Sequence, residues 1–137
     1  MRIFITGGTG LIGSAVVAEL LGHDHTVLAL VRSDASALSA EKAGADTIRG
    51  GIADLNMLRD GVAQADGVIH LAFSNDFSSA EAVAKAVAEE STAMATLGEE
   101  LVGSDRPFAV VSGTPRAVGR PSTEADPAPT EGVVGGR

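Results

Sequence analysis

Thr6-Gly7-Gly8-Thr9-Gly10-Leu11-Ile12-Gly13 packs four glycines into seven positions close to the start of the chain. Neither a helix interior nor a strand interior tolerates that density, so the chain must turn here. Before the turn, Arg2–Thr6 holds the β-rich run Ile3-Phe4-Ile5. After it, Gly10–Leu21 has helical apolar spacing through Leu11, Ala15, Val16 and Leu20. The glycines therefore join a strand to a helix, and the spacing Gly7-x-x-Gly10-x-x-Gly13 assigns each a reason. Gly7 and Gly8 let the chain leave the strand sharply. Gly10 lets a ligand come close to backbone. Gly13 lets the helix lie close to the strand.

The alternation continues. Thr26–Val31 is almost wholly apolar, as in a strand covered on both faces. Ala35–Ala43 reads as a short helix ended by Gly44, Asp46–Arg49 as a strand, and Asp54–Asp60 as a helix capped by Asp54. Gly67–Ala72 is another buried strand. Ser78-x-x-Glu81 has the spacing of a capping box and opens a long helix, with Val83, Val87, Met94, Leu97 and Leu101 on one face. Phe108–Val111 is the last strand. The βαβαβαβαβ pattern predicts an α/β fold, a doubly wound parallel sheet of about five strands in the order 3-2-1-4-5. All five prolines lie at or beyond Pro107. We expect a domain over residues 1–112 and a Pro/Gly-rich, poorly ordered tail over 113–137.

Composition narrows the function classes. There is no cysteine, which excludes a disulfide scaffold, a Cys-ligated zinc site and a thiol nucleophile. Tyrosine is absent too, and with it any phenolic acid/base. The net charge of −8 argues against nucleic-acid binding through a basic surface. No apolar run reaches the ~20 residues of a membrane span, and the apolar run at the N-terminus is too short for a signal peptide. A soluble cytoplasmic protein without membrane partners is expected. Glu89, Glu90, Glu99 and Glu100 read as a solvated helix face, with Lys85 to Glu89 the one internal ion pair and no metal site among them.

Bare N–H groups at a helix N-terminus face an anion, with the helix dipole in support. In its strand-to-helix context the glycine motif therefore points to a pyrophosphate and so to a dinucleotide. A glycine-rich turn that binds nothing is the alternative. A flavodoxin-like receiver is a third reading, but it wants an acidic pair where this chain has Thr6-Gly7-Gly8.

Three stretches together resemble the extended or atypical short-chain dehydrogenase/reductases, the NAD-dependent epimerase/dehydratase group. They are Thr6–Gly13, His70-Leu71-Ala72 and Val110-Val111-Ser112-Gly113-Thr114. The resemblance runs from residue 1 to about 125 and implies a Rossmann fold with a nicotinamide dinucleotide across the carboxyl ends of the strands. The implied cofactor residues in the first loop are Gly7, Thr9, Gly10, Leu11, Ile12 and Gly13. Leu71, Ala72 and Phe73 form a wall beside the cofactor, and Ile52 offers backbone to adenine. The family's Asp that meets adenine is replaced here by Gly51, and Asp54 serves as a cap. His70 reads as a packed strand histidine. Ser74-Asn75-Asp76-Phe77 is either a substrate-facing loop or a capping loop. Thr114, with Ser112 as alternative, is the hydroxyl that orients a small alcohol or carbonyl substrate.

Val31 stands where an NAD site places its ribose-binding acid, and Arg32 and Ser33 follow. A guanidinium suits a phosphate and not a 2′-hydroxyl, so NADP(H) is expected ahead of NAD(H). The alternative for Arg32 is a solvated surface arginine. The family's Tyr-x-x-x-Lys acid/base pair has no counterpart, since there is no Tyr and the lysines are Lys42 and Lys85. The sixth strand and its helix are likewise unmatched, as in a truncated or frame-shifted product or a fragment of a longer chain. Two readings stay open: the cofactor-binding part of an oxidoreductase or epimerase, and a binding module without turnover. The fifth strand has no charged residue to guard its edge, so self-association is expected there.

Overall fold

The computed structural model describes residues 1–111, 117, 119–123 and 125–126. Among these residues nine elements follow one another: β1 (Arg2–Thr6), α1 (Leu11–Gly22), β2 (Thr26–Val31), α2 (Asp34–Ala43), β3 (Asp46–Arg49), α3 (Leu55–Ala63), β4 (Gly67–His70), α4 (Ala80–Glu99) and β5 (Phe108–Val110). The strands form one parallel sheet in the order β3-β2-β1-β4-β5. Ile3 pairs with Val27 on one side and Gly67 on the other, which puts β1 at the centre. This is the expected Rossmann-type arrangement. Every strand ends at the same edge of the sheet, so the loops after β1, β2, β3 and β4 gather there.

Alternation along the central strands feeds two cores. Phe4, Leu28, Leu30 and Val68 pack on one face with Leu58 and Val62 of α3, Ala93 and Leu97 of α4, and Leu101. Ile5, Val27, Ala29 and Val31 pack on the other with Val17 of α1 and Ala40 of α2. Consecutive residues of β2 thus serve opposite faces, which is why its sequence is apolar without a break.

The structure moves several boundaries and corrects three side-chain assignments. In α1 the inward residues are Gly13 and Val17, flanked by Val16, Leu20 and Leu21, while Leu11 and Ala15 of the expected stripe lie exposed. Close packing against the strand at Gly13 turns the helix away from the stripe that apolar spacing favours. The long helix is capped by Ser79, whose Oγ accepts from the Ala82 N–H at 3.1 Å, and not by Ser78. Ser78 instead donates from Oγ and from its backbone N–H to Asp76 Oδ1, at 2.5 and 3.0 Å. Glu90, grouped above with the solvated glutamates, is 3% exposed. It shares the inward seam of α4 with Val83, Ala86, Ala93 and Leu97, a three-four spacing that turns position 90 into the fold. The Lys85–Glu89 pair is present at 3.8 Å.

Two cross-links tie elements that are distant in sequence. Asp54 caps α3 as expected, accepting from the Met57 N–H at 3.4 Å. At the other end of that helix, Arg106 donates to the carbonyls of Val62, Ala65 and Glu100 at 2.7, 3.2 and 2.8 Å. One guanidinium thereby satisfies backbone acceptors at the C-terminal ends of both α3 and α4.

The expected tail, 113–137, falls largely outside the described residues. Within its described part the Ala117 N–H donates to Ser122 Oγ at 2.9 Å, and Arg120 pairs with Asp126. The Asp126 carboxyl is held below its ordinary value by Arg120 and by the Thr123 N–H, and the Arg120 guanidinium is raised in turn by Asp126.

Candidate functional site

The chain leaves β1 through Gly7, whose φ of 72° lies in the left-handed region. A Cβ at Gly7 would stand 2.8 Å from the Ala72 nitrogen, so glycine is required on conformation and on space alike. A Cβ at Gly13 would lie 2.1 Å from the Gly7 carbonyl oxygen and 2.7 Å from Gly8 Cα. Glycine at 13 lets the first turn of α1 rest on the loop itself. Gly10 is the helix N-cap, and an added Cβ would meet nothing but the Gly7 oxygen, at 3.2 Å. Space is therefore open over Gly10.

The helix termini separate by their caps. Ser33 caps α2, Asp54 caps α3 and Ser79 caps α4, each with a side-chain oxygen. The N-terminus of α1 has no side-chain cap and no acidic residue in its first turn. Its leading N–H groups are oriented along the axis with the dipole behind them, the state of a helix end that receives an anion.

A groove of about 890 Å³ opens over this terminus. It gathers every cofactor-binding candidate of the sequence: Gly7, Thr9, Gly10, Leu11, Ile12, Gly13, Arg32, Ser33, Ile52, Leu71, Ala72 and Phe73. Ser74, Asn75 and Phe77 line it as well, whereas Asp76 turns into the Ser78 interaction before α4. Those hydrogen bonds from Ser78 keep the exposed Asp76 carboxyl below its ordinary value. Thr114 and Ser112 lie outside the described residues.

Beneath the groove, the ends of β1 and β4 are tied together. Thr6 and His70 are register partners and are both buried. Thr6 Oγ1 stands 2.7 Å from His70 Nδ1 and accepts from the Ala72 N–H at 3.3 Å. The expected role of His70 as a packed strand residue agrees with this position. The bond to Ala72 sets the wall residue against the turn at Gly7.

The β2 side of the groove is polar. Arg32 has no ion-pair or hydrogen-bond partner among the described residues, unlike Arg2, Arg49 and Arg59, which pair with Asp46, Asp34 and Glu100. Asp34, the acid nearest the end of β2, is drawn away by Arg49 at 2.6 Å. A Cβ at Gly51 would meet the Arg32 stem at 3.7 Å, an ordinary contact, so Arg32 lies beside Gly51, just past the end of β3. Ser33 and Ser36 cap α2 reciprocally, Ser36 N–H to Ser33 Oγ at 3.2 Å and Ser33 N–H to Ser36 Oγ at 3.0 Å. Ser36 is a lining residue that the sequence reading missed. Its signal was the Ser33-x-x-Ser36 spacing, which is that of a capping box.

Residues 3–131 match the profile of the NAD dependent epimerase/dehydratase family. The chain belongs to that family. An uncharacterized protein of Schizosaccharomyces pombe is 43% identical over 114 residues, covering 83% of this chain and 38% of that protein. A 4-hydroxy-2-methyl-3-oxo-4-farnesyl-3,4-dihydroquinoline-1-oxide ketoreductase of Stigmatella aurantiaca is 36% identical over 72 residues, 53% of this chain and 22% of that enzyme. Among solved structures, a UDP-glucose-4-epimerase from Stenotrophomonas maltophila superimposes with a TM-score of 0.79 at 19% identity, over 98% of this chain and 44% of that one. This epimerase/dehydratase chain thus spans less than half the length of these relatives. Among its described residues no helix is long and apolar enough to cross a membrane, and no group of three or more His, Asp or Glu is placed to share a metal ion.

Proposed function

We propose that the chain is the NADP(H)-binding part of a short-chain dehydrogenase/reductase or epimerase-type oxidoreductase whose substrate is a small alcohol or carbonyl compound. One observation carries the reading: an unpartnered arginine shares a groove with the one uncapped helix N-terminus among the described helices. The Leu11, Ile12 and Gly13 amides hold the pyrophosphate, and the lack of side chains at Gly10 and Gly13 admits it to backbone. Arg32 takes the 2′-phosphate as a charge-assisted, two-pronged donor, and the Ser33 hydroxyl adds a polar edge. Leu71, Ala72 and Phe73 exclude water from the opposite wall, and Ile52 backbone faces the adenine. When bound, the nicotinamide supplies a hydride acceptor or donor. Thr114 or Ser112 orients the substrate oxygen. NAD(H) is the weaker ligand in this reading, and the setting is cytoplasmic.

A second reading has its own support. No tyrosine is present to exchange the proton that accompanies hydride transfer. The chain by itself therefore binds dinucleotide without turning over. Purified chain mixed with NADPH and a panel of aldehydes and ketones shows no loss of absorbance at the nicotinamide band, and measurable oxidation would refute this.

Calorimetry separates the cofactors. The chain binds NADP⁺ more tightly than NAD⁺. Arg32→Ala lowers NADP⁺ affinity by about tenfold or more, the equivalent of ~1.4 kcal/mol, and leaves NAD⁺ affinity unchanged. Equal affinities in the wild type would remove the 2′-phosphate role from Arg32.

A further inference from the structure

At the carboxyl end of β2 one acid has two arginines within reach of its backbone neighbourhood. In the parallel pairing of β2 with β3, Val31 stands opposite Arg49, and the Gly50 N–H donates to the Val31 carbonyl at 3.0 Å. Arg32 follows Val31 and passes beside Gly51, so Arg32 and Arg49 leave adjacent strand ends. Asp34 lies two residues beyond Arg32, in the first turn of α2. Its Oδ1 accepts from Arg49 Nη2 at 2.6 Å. Ser33 and Ser36 cap α2 between them, so Asp34 is not engaged as a cap. Arg32 lines the groove, whereas Asp34 and Arg49 do not.

The pair is exposed on both sides, and such a pair contributes little to the fold. What it fixes is where a negative charge sits. A carboxylate bound to Arg32 would occupy the two-pronged donor that a phosphate needs, and a loose one beside Arg32 would repel that phosphate. An acid near the end of β2 is also the kind of group that holds a ribose 2′-hydroxyl. Resting on the NADP(H) reading above, we infer that Arg49 is a specificity-determining positioning residue: it binds Asp34 outside the groove, which keeps Arg32 open to the 2′-phosphate and favours NADP(H) over NAD(H). Arg49 acts through Asp34 and touches no cofactor.

The test is a double-mutant cycle on the intact 137-residue chain, read by calorimetry with NADP⁺ and NAD⁺ as probes. Arg49→Gln lowers NADP⁺ affinity about threefold or more and leaves NAD⁺ affinity level or raised, and the loss shrinks as salt rises from about 0.05 to about 0.5 M. Arg49→Lys, which keeps a cation for Asp34, retains most of the wild-type preference. Asp34→Asn binds NADP⁺ at least as well as wild type, and Arg49→Gln added to it has no further effect. The cofactor reading is tested separately, by the wild-type preference for NADP⁺ and its loss in Arg32→Ala; a chain without that preference removes the reading and this inference with it. A chain that prefers NADP⁺ through Arg32 but binds it equally well after Arg49→Gln overturns the inference alone. So does an undiminished loss in the Asp34→Asn background, which would make Arg49 a direct attractor of the phosphate. A parallel loss for both cofactors overturns it too, since that is the mark of a merely structural residue.

Discussion

Gly13 has no room for a methyl group, because the backbone of Gly7 and Gly8 stands against it, with the Gly7 oxygen 2.1 Å from where a Cβ would sit. Gly10 has room on every side but one. The two glycines therefore answer different questions. Gly13→Ala destabilises the fold by about 2 kcal/mol or more through overpacking, as urea unfolding will show. Gly10→Val, in extended backbone that accepts a branched side chain, leaves the unfolding midpoint near wild type but lowers NADP⁺ affinity at least about tenfold, ~1.4 kcal/mol, by filling the space over the helix end. Single residues were legible in the sequence where their reason is local. The motif glycines and Asp54 declared themselves by spacing. Gly61 did not: a Cβ there would come within 2.3 Å of the Phe4 ring, a contact made only once α3 docks on β1. Glu90 misled for the complementary reason, since a carboxylate on a helix reads as solvated until the packing of the helix is known.

At the scale of elements, the strand-helix alternation was readable because the central strands hold short apolar runs, Ile3–Ile5, Val27–Val31 and Val68–Ile69, and each helix has a turn signal before it. Boundaries were less so. Two serines stand side by side before α4, and Glu81 three residues after Ser78 favours the wrong one. What decides is that Asp76 captures Ser78, which leaves Ser79 in extended backbone as the cap. The two can be told apart by substitution. Ser79→Ala costs about 1 kcal/mol in urea unfolding, and Ser78→Ala costs a few tenths, as for an exposed turn. Equal costs would return the cap to Ser78. The reciprocal Ser33–Ser36 box was missed by the same kind of ambiguity, because Ser at the third position is a weaker signal than Glu.

At the scale of the molecule, the lining of the groove was legible because strand ends of a parallel sheet converge by topology. The substrate half was not, since its hydroxyl candidates fall outside the described residues and the curated relatives extend far beyond this chain. Among the described residues β5 is an edge strand, pairing with β4 alone, and Val110 is 44% exposed. An unguarded parallel edge recruits another strand. Sedimentation velocity at rising concentration should show self-association, and Val110→Lys should abolish it; a concentration-independent monomer would count against the edge. Arg106 has a further consequence for motion. A guanidinium that closes the ends of two helices at once makes their fraying a shared event, so the terminal amides of both should exchange with deuterium at a common rate and be released together when that side chain lets go.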